Sequence, residues 1–79
     1  MSREELLEAL SGVFEDVLGR PVELSEATTA ADVEGWDSLV QIMLVLASER
    51  EFGVRFTSAE LAELANVGDF VSLVQEKQA

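Results

Sequence analysis

The sequence has 79 residues, 48% of them hydrophobic and 27% charged, which is typical of one small globular domain rather than a disordered chain. Five basic and sixteen acidic residues give a net charge of −11, which argues against nucleic acid and anionic membranes as ligands and favours partners with basic surfaces. Cysteine and histidine are both absent, which excludes Ser-His or Cys-His catalysis and an ordinary zinc site. No apolar run is long enough to span a membrane. We therefore expect a cytoplasmic, monomeric domain over residues 1–79 that is not an enzyme.

The first predicted helix covers about residues 3–18. Ser2 and Glu5 have the spacing of a capping box, which satisfies free amides at a helix start. Gly19 and Pro21 end the helix, because proline cannot continue it. Apolar residues recur at steps of three and four along one face: Leu6, Leu7, Leu10, Val13, Phe14, Val17 and Leu18.

Residues 19–36 show no helical period and form a long connection. It exceeds the roughly 12–15 residues usual for a loop without structure of its own. Its apolar residues Val22, Leu24, Val33 and Trp36 can anchor it to the helices. We therefore expect an ordered loop, with Trp36 packed against the bundle.

The second predicted helix covers residues 38–52 and stops at Gly53. Apolar residues occupy almost its whole circumference and divide into two stripes. The stripe predicted to face inward consists of Leu44, Val45 and Phe52. The stripe predicted to face water runs into Glu49 and Arg50 and consists of Leu39, Ile42, Met43 and Leu46.

Two more helices follow. Thr57 and Glu60 have the capping-box spacing and open a short third helix over about 58–64. Asn66 is the predicted N-cap of a last helix over 67–77. Its buried stripe comprises Val67, Phe70, Val71 and Val74, while Phe52 and Phe56 are expected in the core. The fold class is thus all-α: a small four-helix bundle with a short third helix and a long ordered loop between the first and second helices.

Ser38 is the main candidate functional residue. As a structural residue it would cap the second helix or stand next to an Asp37 cap. It cannot be a nucleophile within this chain, because the chain has no histidine to act as its base. It can instead be a hydroxyl that another enzyme modifies, since a helix N-terminus favours an attached phosphoryl group. The nearby acids Asp32, Glu34 and Asp37 lack the pattern of a calcium loop, so no metal site is expected.

The segment Gly35-Trp36-Asp37-Ser38-Leu39, the helix ending Glu51-Phe52-Gly53, and the apolar Val54 and Phe56 resemble the acyl and peptidyl carrier family. The resemblance extends helix by helix over the whole chain. It implies that Ser38 receives 4′-phosphopantetheine from coenzyme A through a separate phosphopantetheinyl transferase. The thiol of that group would carry acyl chains as thioesters. Asp37 would help to position the divalent metal during the transfer.

The resemblance also implies that partner enzymes bind the helix after Ser38. Family members of fatty acid synthesis commonly carry acids two and five places after the serine, where this chain has Val40 and Met43. This difference favours a specialised fatty-acid or polyketide-type pathway, with an acyl-activating ligase or a ketosynthase-type synthase as partner. The predicted partner surface consists of Leu39, Ile42, Met43, Leu46 and Glu49.

Two alternatives remain open from the residues alone. An aminoacyl or peptidyl carrier would have the same modification and a different cargo. A helical adaptor protein would use Ser38 only as a cap and bind another helix through its apolar strip.

Overall fold

A computed structural model describes residues 2–78, which contain four α-helices, one 3₁₀ turn and no β-strand. The all-α prediction is therefore confirmed. The elements in chain order are α1 (Arg3–Leu18), a 3₁₀ turn (Ala30–Asp32), α2 (Ser38–Phe52), α3 (Ser58–Ala62) and α4 (Val67–Gln78). None of the helices within residues 2–78 is both long and apolar enough to cross a membrane.

The core lies where α1 packs against α2 and α4. The predicted apolar face of α1 supplies four fully buried residues and α4 supplies its entire predicted stripe. Both helices begin where their caps predict, with the Ser2–Glu5 capping box formed and Asn66 Oδ1 accepting from the Asp69 amide at 2.8 Å. The buried residues of these two helices are Leu6, Leu10, Val13, Phe14, Val67, Gly68, Phe70, Val71 and Val74.

The inward face of α2 differs in part from its prediction. Leu44 is buried as expected, but the second buried residue is Ser48, and Val45 is only half-buried. Hydrophobicity alone predicts an apolar inward stripe, whereas Ser48 lies one helical turn after Leu44 and therefore shares its buried face. Phe52 and Phe56 are half-buried and pack against the core.

Apolar anchors and a 3₁₀ turn hold the long loop in place. The anchors were predicted, but the 3₁₀ turn was not, because the loop sequence shows no helical period. Val33 is buried and Trp36 is half-buried, as expected of anchors. The turn at Ala30–Asp32 is short and is stabilised by a capping box between Thr29 and Asp32. A single 3₁₀ turn spans too few residues to give a sequence period.

The loop also caps the start of α4 through its backbone. The amide of Val67 donates to the carbonyl of Thr28 and that of Gly68 to the carbonyl of Glu26, both at 2.8 Å. The first amides of a helix have no partner inside it, so the loop supplies the missing acceptors. A Cβ at Gly68 would lie 2.8 Å from the carbonyl oxygen of Glu26, which explains why glycine occupies this position.

Arg3 fastens the same loop to α1 and α4. Its guanidinium donates to both carboxylate oxygens of Glu26, and also to Ser72 Oγ and Gln75 Oε1 at 3.0 Å and to the Gly68 carbonyl at 3.1 Å. The hydrogen bond and the charge of Arg3 hold the pKa of the Glu26 carboxyl below its ordinary value. The N-terminal turn of α1 thus holds the middle of the loop against α4.

The third helix ends at Ala62, two residues earlier than predicted. The amides of Glu63 and Leu64 bond three residues back, to Glu60 and Leu61, so the last turn is of the 3₁₀ type. At the start of α3, the Thr57–Glu60 capping box is formed as expected. Lys77 in the last turn of α4 pairs with Glu60 at 2.9 Å and connects the two helices.

Candidate functional site

Ser38 is the first residue of α2 and is exposed to solvent. The cap of α2 is Asp37, whose carboxylate accepts from the Val40 amide at 2.9 Å. Asp37, and not Ser38, is therefore the N-cap of α2, which decides between the two structural interpretations of Ser38. The Ser38 hydroxyl is free of that role and stands at the positive end of the α2 dipole, where an attached phosphoryl group is favoured.

Trp36 fixes the end of the loop immediately before Ser38. Its ring packs edge-on against Phe14 of α1, with ring centroids 4.9 Å apart at 86°, and its Nε1 donates to Gln41 Oε1 at 2.7 Å. Gly35, the residue before it, has a φ of +88°, a left-handed conformation that glycine adopts without strain. This confirms the anchoring role predicted for Trp36, whereas its bond to Gln41 had no signal in the sequence.

A groove of ≈ 690 Å³ opens beside Ser38. Its lining includes the polar residues Asp37, Ser38 and Gln41. Most of the remaining lining is apolar and comes from α1, α2, α4 and the segment from α3 to Leu64: Leu10, Phe14, Ile42, Leu61, Leu64, Val67 and Phe70. An apolar groove with few polar groups at one side suits an aliphatic ligand tethered to Ser38. The residues around Ser38 therefore fit a flexible prosthetic arm with an apolar cargo.

The acidic residues near Ser38 have separate structural roles, Asp32 and Asp37 through their carboxylates and Glu34 through its backbone carbonyl. Asp32 accepts from the amide of Thr29 at 2.9 Å and from its hydroxyl at 3.1 Å, and Asp37 caps α2. The carbonyl of Glu34 accepts a hydrogen bond from Arg20, which ties the two ends of the loop together. Among residues 2–78, no group of three or more acidic side chains converges as metal ligands would.

The predicted partner surface is exposed along α2. We call Leu39, Ile42, Met43 and Leu46 the α2 strip; their exposed fractions are 66%, 58%, 44% and 55%. Glu49, the fifth predicted member, is half-buried, and its carboxylate accepts from the Phe56 amide at 2.9 Å. The strip begins one residue after Ser38, so a protein that covers it also lies over the Ser38 hydroxyl.

Comparisons with known proteins agree with this geometry. The family model described as a phosphopantetheine attachment site matches residues 8–74. The chain is 38% identical to the acyl carrier protein of Thermotoga maritima over 96% of this chain and 95% of that protein. It is 30% identical to the meromycolate extension acyl carrier protein of Mycolicibacterium aurum, over 95% of this chain and 78% of the relative. The solution structure of the holo acyl carrier protein from Geobacter metallireducens superimposes with a TM-score of 0.86 at 36% identity, covering 91% of this chain and 84% of that one.

Proposed function

This chain belongs to the acyl carrier protein family, a family of non-catalytic carriers whose cofactor is phosphopantetheine, and from that premise we propose that Ser38 is its attachment residue. Ser38 is an exposed serine at the start of α2, and Asp37, not Ser38, provides the cap. The single observation that supports the assignment most strongly is that this uncommitted hydroxyl opens beside an apolar groove. When attached, the group supplies a thiol on a flexible arm, which holds acyl chains as thioesters.

Each neighbouring residue has a role in this proposal. The amides of the first turn of α2 stabilise the phosphate ester. Asp37 keeps that turn formed and, during the modification, helps the transferase to position its divalent metal. Apolar side chains of the groove, such as Leu61 and Leu64, provide a place for an acyl chain. A tether confines that chain near each partner enzyme and so raises its effective concentration there.

We further propose a specialised fatty-acid or polyketide-type pathway with an acyl-activating ligase or a synthase as partner. The relatives named above are acyl carriers, which favours acyl over aminoacyl cargo. Val40 and Met43 stand where carriers of fatty acid synthesis commonly have acids. The net charge of −11 keeps copies of the chain apart and supports a monomer, for which we propose a cytoplasmic location.

The partner surface in this proposal is the α2 strip, with Glu49 at its border. Covering a Leu46 that is 55% exposed contributes about 1 kcal/mol to binding, close to a fivefold change in affinity. Docking through the strip should depend less on salt than docking of the fatty-acid-synthase type, because Val40 and Met43 replace two acids. A Met43→Glu variant should lose affinity for the partner enzyme, and unchanged affinity would contradict an apolar docking surface.

The attachment is tested by mass spectrometry after incubation with coenzyme A and a broad-specificity phosphopantetheinyl transferase. The wild-type chain should gain one phosphopantetheinyl group, and Ser38→Ala should gain none. Ser58→Ala is the matched control, because Ser58 is also an exposed serine at the first position of a helix, directly after its cap Thr57. Absence of any gain with an active transferase would instead support the adaptor alternative.

A further inference from the structure

The α2 strip has a different charge at each of its ends. At 100° per residue, Arg50 projects from the same side of α2 as Leu39 and Leu46, and it is exposed. At the other end, the exposed acids Glu34 and Asp37 precede Ser38. Twelve residues of helix separate Ser38 from Arg50, or about 18 Å at 1.5 Å per residue. The strip is therefore apolar in its middle, acidic near Ser38 and basic at its far end.

A second arginine strengthens the basic end. Arg50 and Arg55 line one shallow groove together with Leu46, Glu49 and Val54. This groove continues the apolar strip past the end of α2, so both guanidiniums border the surface that a partner would cover.

These two arginines differ from the other cations that the structure describes. Arg3 and Lys77 form ion pairs within the chain and Arg20 donates to the carbonyl of Glu34, whereas inside residues 2–78 neither Arg50 nor Arg55 forms an ion pair or a side-chain hydrogen bond. Glu49, the acid adjacent to Arg50, directs its carboxylate to the Phe56 amide. The last turn of a helix favours a cation, which accounts for Arg50 in part, but Arg55 lies beyond α2. Both guanidiniums are therefore available to pair with carboxylates of a partner.

We propose that the α2 strip binds a partner enzyme whose apolar groove carries carboxylates at the end that receives Arg50 and Arg55, and basic residues at the end that receives Ser38. This inference rests on the proposed function and specifies the chemistry of its partner. Guanidinium and carboxylate groups pair with two parallel hydrogen bonds, which makes arginine well suited to such a contact. Opposite charges at the two ends oppose a reversed orientation of α2, so the strip docks with Ser38 directed to the active site.

The test uses a purified carrier-dependent enzyme that accepts this chain as its acyl carrier, and a chain whose modification at Ser38 has been verified by mass. The variants are Arg50→Gln, Arg55→Gln and the pair together. The control is Gly12→Glu on the solvent face of α1, where an added side chain meets no atom within 4 Å. Each single variant changes the net charge from −11 to −12, so all have the same effect on long-range attraction.

Each arginine variant should lower kcat/KM roughly threefold, and the pair roughly tenfold, through a higher KM. Gly12→Glu should stay within about twofold of wild type. If the arginine variants match Gly12→Glu, or if they bind the enzyme more tightly than wild type, the acidic end of the partner groove is refuted. A wild-type chain that gains no mass from the transferase would instead refute the attachment at Ser38, so the two failures are distinct.

Discussion

Replacing glycine by alanine at two positions should change stability in opposite directions. Gly12 and Gly68 both lie in helices, where alanine is favoured over glycine by up to about 1 kcal/mol. Nothing lies within 4 Å of a Cβ at Gly12, so Gly12→Ala should stabilise the fold by about 0.5–1 kcal/mol. A Cβ at Gly68 would lie 2.8 Å from the Glu26 carbonyl oxygen and 3.1 Å from the Glu26 Cβ.

The cost at Gly68 comes from backbone that cannot move away without losing its own contacts. Relieving the overlap pushes the loop off α4 and weakens the bonds of the Gly68 and Val67 amides to Glu26 and Thr28. Overpacking costs about 1–3 kcal/mol and each weakened hydrogen bond about 1 kcal/mol. After subtraction of the gain in helix propensity of up to about 1 kcal/mol, Gly68→Ala should destabilise the chain by about 2–4 kcal/mol.

Urea unfolding followed by circular dichroism measures both effects. With a slope of about 1 kcal/mol per molar urea for a small protein, the two midpoints should differ by roughly 2.5–5 M. A domain of this size has a total stability of only about 4–8 kcal/mol, so the difference is large. If both variants shift the midpoint in the same direction, the close contact between the loop and α4 is refuted.

Three further predictions concern single side chains. Ser48 is fully buried and its hydroxyl has no hydrogen-bond partner within residues 2–78, so Ser48→Ala should raise the unfolding free energy by about 1 kcal/mol. The control Ser11→Ala removes a 2.9 Å hydrogen bond to the Leu7 carbonyl and should not raise it. Asp37→Asn should keep the helix cap and Asp37→Ala should lose about 1 kcal/mol in denaturant unfolding. Both Asp37 variants should be modified by the transferase more slowly than wild type, as followed by intact mass. If Asp37→Asn is modified at the wild-type rate, Asp37 acts only as a helix cap. The hydrogen bonds from Thr57 and Lys77 lower the pKa of Glu60 below its ordinary 4.5, so wild type should be more stable than Glu60→Gln at neutral pH. This difference should begin to fall below about pH 4.5 and be lost as the pH passes through the lowered pKa of Glu60. A pH-independent difference in urea midpoints would contradict this.

The sequence predicts most of the helical structure because local signals determine it. Capping boxes at Ser2 and Thr57 and the apolar period of α1 and α4 each act within a few residues, and these elements begin where predicted. The exposed position of the α2 strip was also predictable, since its stripe ends in charged residues. For the candidate site, the position of Ser38 between a long loop and an apolar helix made it a candidate, and the resemblance of Gly35-Trp36-Asp37-Ser38-Leu39 to carrier proteins gave it a function.

The features that the sequence did not predict depend on residues far apart in the chain. Arg3 bonds to residues 23 to 72 positions away, and no local pattern indicates such a network. Burial of Ser48 follows from how α2 packs in the bundle, which hydrophobicity does not encode. The groove beside Ser38 likewise depends on Leu61 and Leu64 coming next to α2. Local signals therefore place Ser38 at the start of α2, whereas packing between elements forms the groove beside it.

The central claim is that Ser38 carries the phosphopantetheine of this carrier. Its most direct measurement is the intact mass of wild type, Ser38→Ala and Ser58→Ala after incubation with coenzyme A and an active phosphopantetheinyl transferase. We predict the mass gain of one phosphopantetheinyl group on wild type and on Ser58→Ala, and none on Ser38→Ala. A gain that persists in Ser38→Ala, or a wild-type chain that the transferase leaves unmodified, would contradict the claim.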